Sequence, residues 1–335
     1  MDIEFHYYIT HLIAARAGVR GEALRIIPHA CQLTDDNDQV YTIRNGRQGI
    51  YRNRISQTFQ PLNSHRERLA VYPLFHFIPG DPHAPGSARV DGQTHPFNTT
   101  PNSPLANRIL DATLATHDPY QIGIACHAYA DTWAHQNFVG FKCDFNRFDD
   151  FVARLIPNIG HADVQTRPDQ PRLVWRDERL MVPVVNNKQR FLDAAAALFA
   201  KLRAWAAPQH PDSESEHRAL RTDLDTAIGT DPGEETADAA RLAGYRQLAE
   251  HPAYGATPIP EYAPDAWFRS AVRVIRQRGG NPGPGRRMRK GYVFRTGYEF
   301  SDWYRFQNAV VSYAERTRAL LCEIPALAEE YRRAY

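Results

Sequence analysis

The sequence predicts a mainly α-helical protein in which long loops carry the functional residues. Two helix starts are marked by an N-cap followed by proline, at Ser103-Pro104 and Asp118-Pro119. Segments long enough for helices, bounded by helix start and stop signals, recur along most of the chain. Residues 32–102, by contrast, are rich in turn-forming Asp, Asn, Gly and Pro, and loops that long inside a compact domain are usually functional.

Local signals place each element in turn. Asp2 caps the first helix, which ends before Gly18, and Pro28 bends or breaks the second. A polar stretch at 208–235 has turn residues near both ends. Helices are expected over residues 3–17, 22–31, 104–116, 121–140, 145–156, 187–206, 234–250, 262–278, 299–320 and 323–333, with short strands over 40–43 and 71–77.

The composition is that of an ordinary globular protein. The 335 residues are 43% hydrophobic and 23% charged, and a formal net charge of +2 gives no global attraction to nucleic acid or membranes. No apolar run is long enough to span a bilayer. The N-terminus lacks the basic region of a Sec signal peptide, and the four cysteines form no C-x-x-C pair. We therefore expect a cytoplasmic protein, or one exported without a Sec signal peptide.

The most informative stretch places His127, Asp131 and His135 four residues apart among Ile and Ala residues. Four residues advance a helix by about 400°, so the three side chains share one face. Ionisable groups in apolar surroundings need a partner, and a divalent metal suits two imidazoles and a carboxylate. The rise from His127 to His135 is about 12 Å, too long for one ion, so the stripe predicts a multinuclear site bridged by Asp131. Three separately hydrogen-bonded residues are the alternative.

Further candidate ligands lie at the first two helices. His6 and His11 are about 140° apart on the first helix, so only one can face a shared site. Asp35, Asp36 and Asp38 form an acidic cluster at the exit of the second helix. The cluster lacks the Gly and the distal Glu of an EF-hand, and a solvated acidic turn is the alternative interpretation.

Two more histidines complete the candidate set. His76 lies between phenylalanines just before a Pro-Gly-Asp turn, where a hydrogen-bonded core histidine is the alternative. His161 lies on a glycine-supported loop near Asp163 and Asp169, where a surface histidine is the alternative.

Together these residues resemble the zinc-dependent phospholipase C and single-strand nuclease superfamily. The run from His127 to His135 resembles its H-x-x-x-D helix with a further His. The Phe-His-Phe-x-Pro segment around His76 resembles its His-Phe ligand loop, and His6 followed by two tyrosines resembles its first-helix ligand. The opening also resembles an uncharacterised bacterial family of similar length. The resemblance covers about residues 1–165 and implies a multi-helix bundle with long site-bearing loops.

In that superfamily three zinc ions form a cluster. This chain departs from the pattern at two places. It begins Met1-Asp2, where family enzymes often use a processed Trp as a ligand. Gln165 also stands four residues after His161, where the family usually has Glu or Asp. The resemblance implies a first metal held by His76, His127, Asp131 and one of Asp35 or Asp36, a second held by His135 and His161 with Asp163 or Asp169, and a third held by His6 with Asp131.

These residues define the expected organisation. A metal-binding helical core spans 1–207, a polar surface excursion spans 208–235, and C-terminal helices over 236–335 pack on the same core as one domain. Two or three zinc ions are the expected cofactors, although other divalent metals fit the same donors.

A multinuclear zinc site predicts hydrolysis of a phosphodiester or phosphomonoester. Clustered divalent ions lower the pKa of bound water to about 7 and neutralise phosphoester oxygens. Asp35 or Asp36 is expected to position or deprotonate the attacking water. No G-x-S-x-G, H-E-x-x-H or Walker motif offers other machinery. The alternatives are an HD-type phosphohydrolase using His76, His117 and Asp118 with a later Asp, or a non-catalytic interaction protein stapled by metal.

A basic segment at residues 269–290 suggests the substrate. It contains eight basic residues and no acid. Such a segment suits the phosphates of a lipid, a nucleotide or a nucleic acid, whereas a solvated helix end and a flexible Gly-Pro loop are the alternative. The candidate substrate contacts are Arg286, Arg287, Arg289 and Lys290.

Overall fold

The computed structural model describes residues 1–46, 49–58, 64–148, 160–161, 164–210, 213–230, 239–277 and 289–334. A π-helical turn over Glu4–Ile9 opens the first helix. The helices are α1 Thr10–Ala17, α2 Gly21–Asp36, α3 His65–Leu69, α4 Tyr72–Phe75, α5 Pro104–Leu114, α6 Pro119–Ala134, α7 Asn187–Ala206, α8 Glu214–Ile228, α9 Ala239–Ala249, α10 Ala266–Ala271, α11 Asp302–Leu321 and α12 Pro325–Ala334. The strands are β1 Thr42–Arg44, β2 Ile50–Arg52, β3 Val174–Arg176, β4 Val184–Asn186, β5 Val272–Gln277 and β6 Arg289–Phe294.

The prediction of a mainly α-helical fold is confirmed, and α6 is the centre of the molecule. Every residue of α6 from Tyr120 to Ala134 is buried, because α2, α5, α7 and α11 all pack against it. The closest approach is at Gly123, where a Cβ atom would lie 2.5 Å from the carbonyl oxygen of Ile27 on α2. Glycine at this position therefore allows α2 and α6 to pack backbone to backbone.

Two local predictions near the site are wrong. The second helix does not end at residue 31 but continues through Pro28 to Asp36. Burial of its apolar face against α6 outweighs the proline penalty of about 3 kcal/mol. Residues 71–77 do not form a strand, because Pro73 in the first turn favours the short helix α4.

Three further predictions of secondary structure need correction or completion. The expected helix over 262–278 is only α10, since the β-branched residues from Val272 onward form β5 instead. The polar segment 208–235 contains α8, whose Leu220, Leu224 and Ile228 are buried. Of the expected helix at 145–156, a short 3₁₀ turn spans Asp144–Asn146, and residues 149–159 lie outside the described chain.

Two small sheets lie on the helical core. One has the order β2-β1-β6-β5, in which β1 and β6 are parallel and the other pairs antiparallel. The other is the antiparallel hairpin β3–β4, whose Trp175 and Val185 pack with Phe77 and Phe138 in a small separate core. Within the described residues, no helix is long and apolar enough to cross a membrane.

Candidate metal centre

Distant parts of the chain bring four side chains together beside the middle of α6. His127 and Asp131 lie on α6, Asp35 lies in the last turn of α2, and His76 immediately follows α4. The Nε2 atom of His127 is 3.0 Å from Nδ1 of His76, and both are 3.2 Å from Oδ2 of Asp131. Asp35 Oδ1 is 3.6 Å from His127 and 3.7 Å from His76. We call these four residues the buried group.

The spacing within the buried group matches a metal site. Donor atoms at about 2.1 Å from a tetrahedral zinc ion lie roughly 3.4 Å from one another. The five separations within the group run from 3.0 to 3.7 Å. The group therefore has the donor types and the dimensions that a divalent cation requires.

A second set of donors lies at the C-terminal end of α6. His135 is not inside the helix, as we expected, but is its C-cap. Its Nε2 is 3.5 Å from Oδ1 of Asp169, and Nε2 of His161 is 3.5 Å from Oδ2 of the same carboxylate. The rings of His135 and His161 are stacked with their centroids 4.7 Å apart. We call His135, His161 and Asp169 the cleft group.

Asp131 lies between several basic groups. Its Oδ2 atom faces the buried group and is also 3.5 Å from Nδ1 of His135. Its Oδ1 atom is 3.2 Å from Nε2 of His6 and 2.5 Å from the amino group of Met1. His6 is therefore the first-helix histidine that faces the site, whereas His11 is buried elsewhere, close to the backbone of Thr257. Both oxygens of Asp131 therefore lie against basic groups.

Backbone carbonyls orient three of the imidazoles. His76 donates from Nε2 to the carbonyl oxygen of Ser56 at 2.8 Å, and His135 donates from Nδ1 to the carbonyl oxygen of His76 at 2.8 Å. His161 donates from Nδ1 to the carbonyl oxygen of Gln165 at 2.6 Å. In each ring the other nitrogen keeps its lone pair and points toward its group, as in histidines that bind metal.

The electrostatics favour ionised carboxylates. Burial opposes charging of Asp131, but the imidazoles of His135, His127 and His6 and the Met1 ammonium hold its pKa well below the usual range. Burial likewise opposes charging of Asp169, and its pKa is lowered by the Met1 ammonium and by His161. The three carboxylates of the two groups, including Asp35, are thus ready to bind cations.

The pKa values of the imidazoles are shifted in opposite directions. Burial lowers the pKa of His6 to about 4, and burial also lowers the pKa of His161. Burial opposes charging of His127 as well, but Asp131 and Asp35 outweigh it and raise its pKa. Among the described residues, His6 Nε2 and Asp169 Oδ1 are buried without a hydrogen bond, and their close neighbours are charged groups. Asp131 Oδ1 lies 3.2 Å from His6 Nε2, and the Met1 amino group lies 3.1 Å from Asp169 Oδ1.

The cleft group opens onto a cleft of about 690 Å³ that Asp36 and Asp38 also line. Asp36 does not join the buried group, because it accepts a hydrogen bond from the hydroxyl of Tyr262 at 2.5 Å. Burial raises its pKa. Asp35 and Asp36, which the sequence does not distinguish, therefore occupy different places: Asp35 among the imidazoles and Asp36 on the wall of the cleft.

The other predicted residues lie outside the described residues or away from the two groups. Asp163, Arg286 and Arg287 lie outside the described residues, as does the side chain of Arg289, while Lys290 is exposed on β6. The constellation expected for an HD-type phosphohydrolase does not form. His117 accepts a hydrogen bond from the indole of Trp205, and Asp118 caps the opposite end of α6 from the two groups.

Sequence reasoning missed residues that support the ligands. Gln57 donates to Oδ1 of Asp35 at 3.2 Å, and the thiol of Cys31 is 3.6 Å from Nδ1 of His6. Gln57 lies in an irregular stretch with no periodicity that would indicate its direction. Cys31 shows a weak signal, since it lies four residues before Asp35 and therefore on the same face of α2.

Comparison with known proteins gives a family but no function. No curated protein and no solved structure matches the chain. The model of a family of unknown function, DUF6765, matches residues 1–320. The chain therefore belongs to the DUF6765 family.

Proposed function

We propose that this protein is a metal-dependent phosphoric ester hydrolase that binds two or three zinc ions. The observation that carries the proposal is the presence of two sets of donors beside α6, the buried group and the cleft group, with separations in the buried group that fit metal coordination. The first-helix ligand, the His-Phe loop and the H-x-x-x-D helix of the phospholipase C and nuclease superfamily agree with the same assignment.

The charge of the cleft also supports the proposal. Asp35, Asp36, Asp38, Asp131 and Asp169 all line the cleft, and no Lys or Arg belongs to its described lining. A phosphoester would be repelled by this surface, whereas bound divalent cations would offset the carboxylate charge and give the phosphate oxygens a cationic partner. Bound zinc would supply Lewis acidity and a water molecule that ionises near neutral pH.

The protein residues then have separate tasks. His76, His127, Asp35 and Asp131 would hold a cation at the buried position. His135, His161 and Asp169 would supply three donors next to the cleft and leave a position for water or substrate. Asp36 on the cleft wall, with its raised pKa, is the carboxylate that accepts a proton from the attacking water.

The decisive experiment combines metal analysis with hydrolysis assays. We expect two or three equivalents of zinc in the purified protein and hydrolysis of bis(4-nitrophenyl) phosphate. Asp131→Asn should lose metal and lower the rate roughly 10³-fold or more. Asp223→Asn serves as the control, since Asp223 pairs with Arg16 instead. A metal-free protein, or full metal content in Asp131→Asn, would contradict the proposal.

A non-catalytic protein stapled by metal is the second candidate. The four donors of the buried group favour it, because a zinc site closed by four protein ligands is usually structural. Metal binding without hydrolysis of bis(4-nitrophenyl) phosphate, single-stranded nucleic acid or phospholipid would select this candidate.

A further inference from the structure

One face of the four-stranded sheet β2-β1-β6-β5 is turned away from the helical core. Side chains alternate along each strand, and the core-facing positions include Ile43, Tyr51 and Phe294. Tyr51 and Phe294 both pack against Trp303 of α11. The residues between these positions point to the opposite side of the sheet, where Arg52 and its neighbours are exposed.

This second side is rich in arginine. The strand register aligns one row across the sheet, in the order Ile50, Arg44, Val293 and Arg273. Since neighbouring strands are about 4.8 Å apart, Arg44 and Arg273 are separated by roughly 10 Å with Val293 between them. Arg52 follows two residues after Ile50 on the same side. We call this surface the arginine face; its exposed basic residues are Arg44, Arg52, Arg273 and Arg295.

Two arginines of this face, Arg52 and Arg273, are not neutralised locally. The alternation places no Asp or Glu on this side of the described strands. Within the described chain, Arg52 and Arg273 have no carboxylate partner, and Arg295 donates its Nε–H to the carbonyl oxygen of Arg269. The net charge of the protein is only +2, so this surface is a local concentration of positive charge.

Apolar side chains lie among the arginines. Ile50, which shares its row with Arg44 and Arg273, is 70% exposed, and Val293 in the same row is half-buried. Basic and aliphatic residues are therefore exposed together on one side of the sheet.

We propose that the arginine face binds an anionic phospholipid surface. Arginines attract anionic headgroups, and an exposed aliphatic side chain such as Ile50 inserts at the boundary between headgroups and acyl chains. A single-stranded nucleic acid fits less well, because it needs aromatic rings for base stacking, and the sheet aromatics Tyr51, Tyr292 and Phe294 are turned toward the core. The proposal does not depend on the metal centre.

Vesicle sedimentation tests the proposal with the full-length protein. We expect binding to vesicles of equal parts phosphatidylcholine and phosphatidylglycerol, little binding to phosphatidylcholine alone, and weakening by salt. Arg52→Gln combined with Arg273→Gln should lower the partition coefficient roughly 25-fold, from about fivefold for each arginine. Ile50→Ser should lower it further.

The matched control is Arg218→Gln combined with Arg332→Gln, which removes two exposed arginines from α8 and α12. It should change vesicle binding by less than about twofold, because these arginines do not lie on the bound surface. Thermal unfolding and hydrolysis of bis(4-nitrophenyl) phosphate should be unchanged in both double variants. Equal binding to neutral and anionic vesicles, wild-type binding by the Arg52/Arg273 variant, or tighter binding to a single-stranded DNA oligonucleotide than to anionic vesicles would each overturn the proposal.

Discussion

The buried group and the cleft group share α6 but differ in the depth of their ligands. In the buried group, the side chains of His127 and His76 are at most 2% exposed, whereas Asp35 is 25% exposed and lines the cleft. In the cleft group, His135 is 6% exposed, while His161 and Asp169 are 21% and 17% exposed. The difference teaches that one helix can present imidazoles both in the core and at the border of a cleft.

The difference arises from where the ligands sit on their elements. The buried group draws on the interior of α6, the last turn of α2 and the residue after α4, all of which are fixed by core packing. The cleft group draws on the C-cap of α6 and on connecting segments, including the 3₁₀ turn Arg167–Asp169. Connecting segments lie at the surface, so their ligands border solvent.

The largest expected effect is on the hydrolysis rate, and mutation of one histidine from each group tests it. His161→Ala should release one metal equivalent and lower the hydrolysis rate roughly 10³-fold, because the open position holds the reacting water. The melting temperature should change little. His127→Ala should also release metal but should lower the melting temperature of the zinc-loaded protein, since the buried position ties α2 and α6 together. Metal titration, kinetics and calorimetry measure these changes; equal thermal effects of the two variants would remove the distinction.

A smaller effect tests the assignment of the two neighbouring aspartates. Asp36→Asn should keep the full metal content and lower the rate roughly 10²-fold, because it removes only the proton acceptor on the cleft wall. Asp35→Asn should lose metal from the buried group. If Asp36→Asn loses metal and Asp35→Asn does not, the roles of the two residues must be exchanged.

The smallest effect concerns a histidine that belongs to neither group. Burial lowers the pKa of His11 to about 4 from 6.5. Between these values the unfolded chain binds a proton that the folded protein does not, so the free energy of unfolding falls as the pH falls below 6.5. At pH 5 the loss is about 2 kcal/mol relative to pH 7.

Urea unfolding of the metal-free protein at pH 7 and pH 5 measures this loss, with His11→Gln as the comparison. The variant should lose about 2 kcal/mol less than the wild type over this interval. An identical pH dependence of the two proteins would show that His11 takes up its proton in the folded state.

The sequence was a good guide to α6 and a poor guide to its surroundings. The helical period alone predicts that His127, Asp131 and His135 share a face, because it depends on local geometry. The extent of α2 beyond residue 31 depends on packing against α6, which a local reading of Pro28 cannot reveal. The choice of Asp35 over Asp36 likewise depends on Tyr262, a residue 226 positions away along the chain.

The sheet is a second feature that local sequence patterns do not predict. β-branched residues from Val272 onward form strand β5, whereas the pattern of the surrounding sequence predicts a helix through residue 278. The arginine face exists only because β1 and β6, which are far apart in sequence, pair in parallel. A count of net charge does not reveal such a surface.

The position of Asp131 has a thermodynamic consequence for the proposed metal binding. One oxygen of this carboxylate faces the buried group and His135, and the other faces His6 and the Met1 amino group. A cation bound at one position would therefore change the charge seen at the next, and linkage would require each ion to alter the affinity of its neighbour by the same factor in both directions. Metal titrations of this centre would then follow coupled rather than independent binding constants.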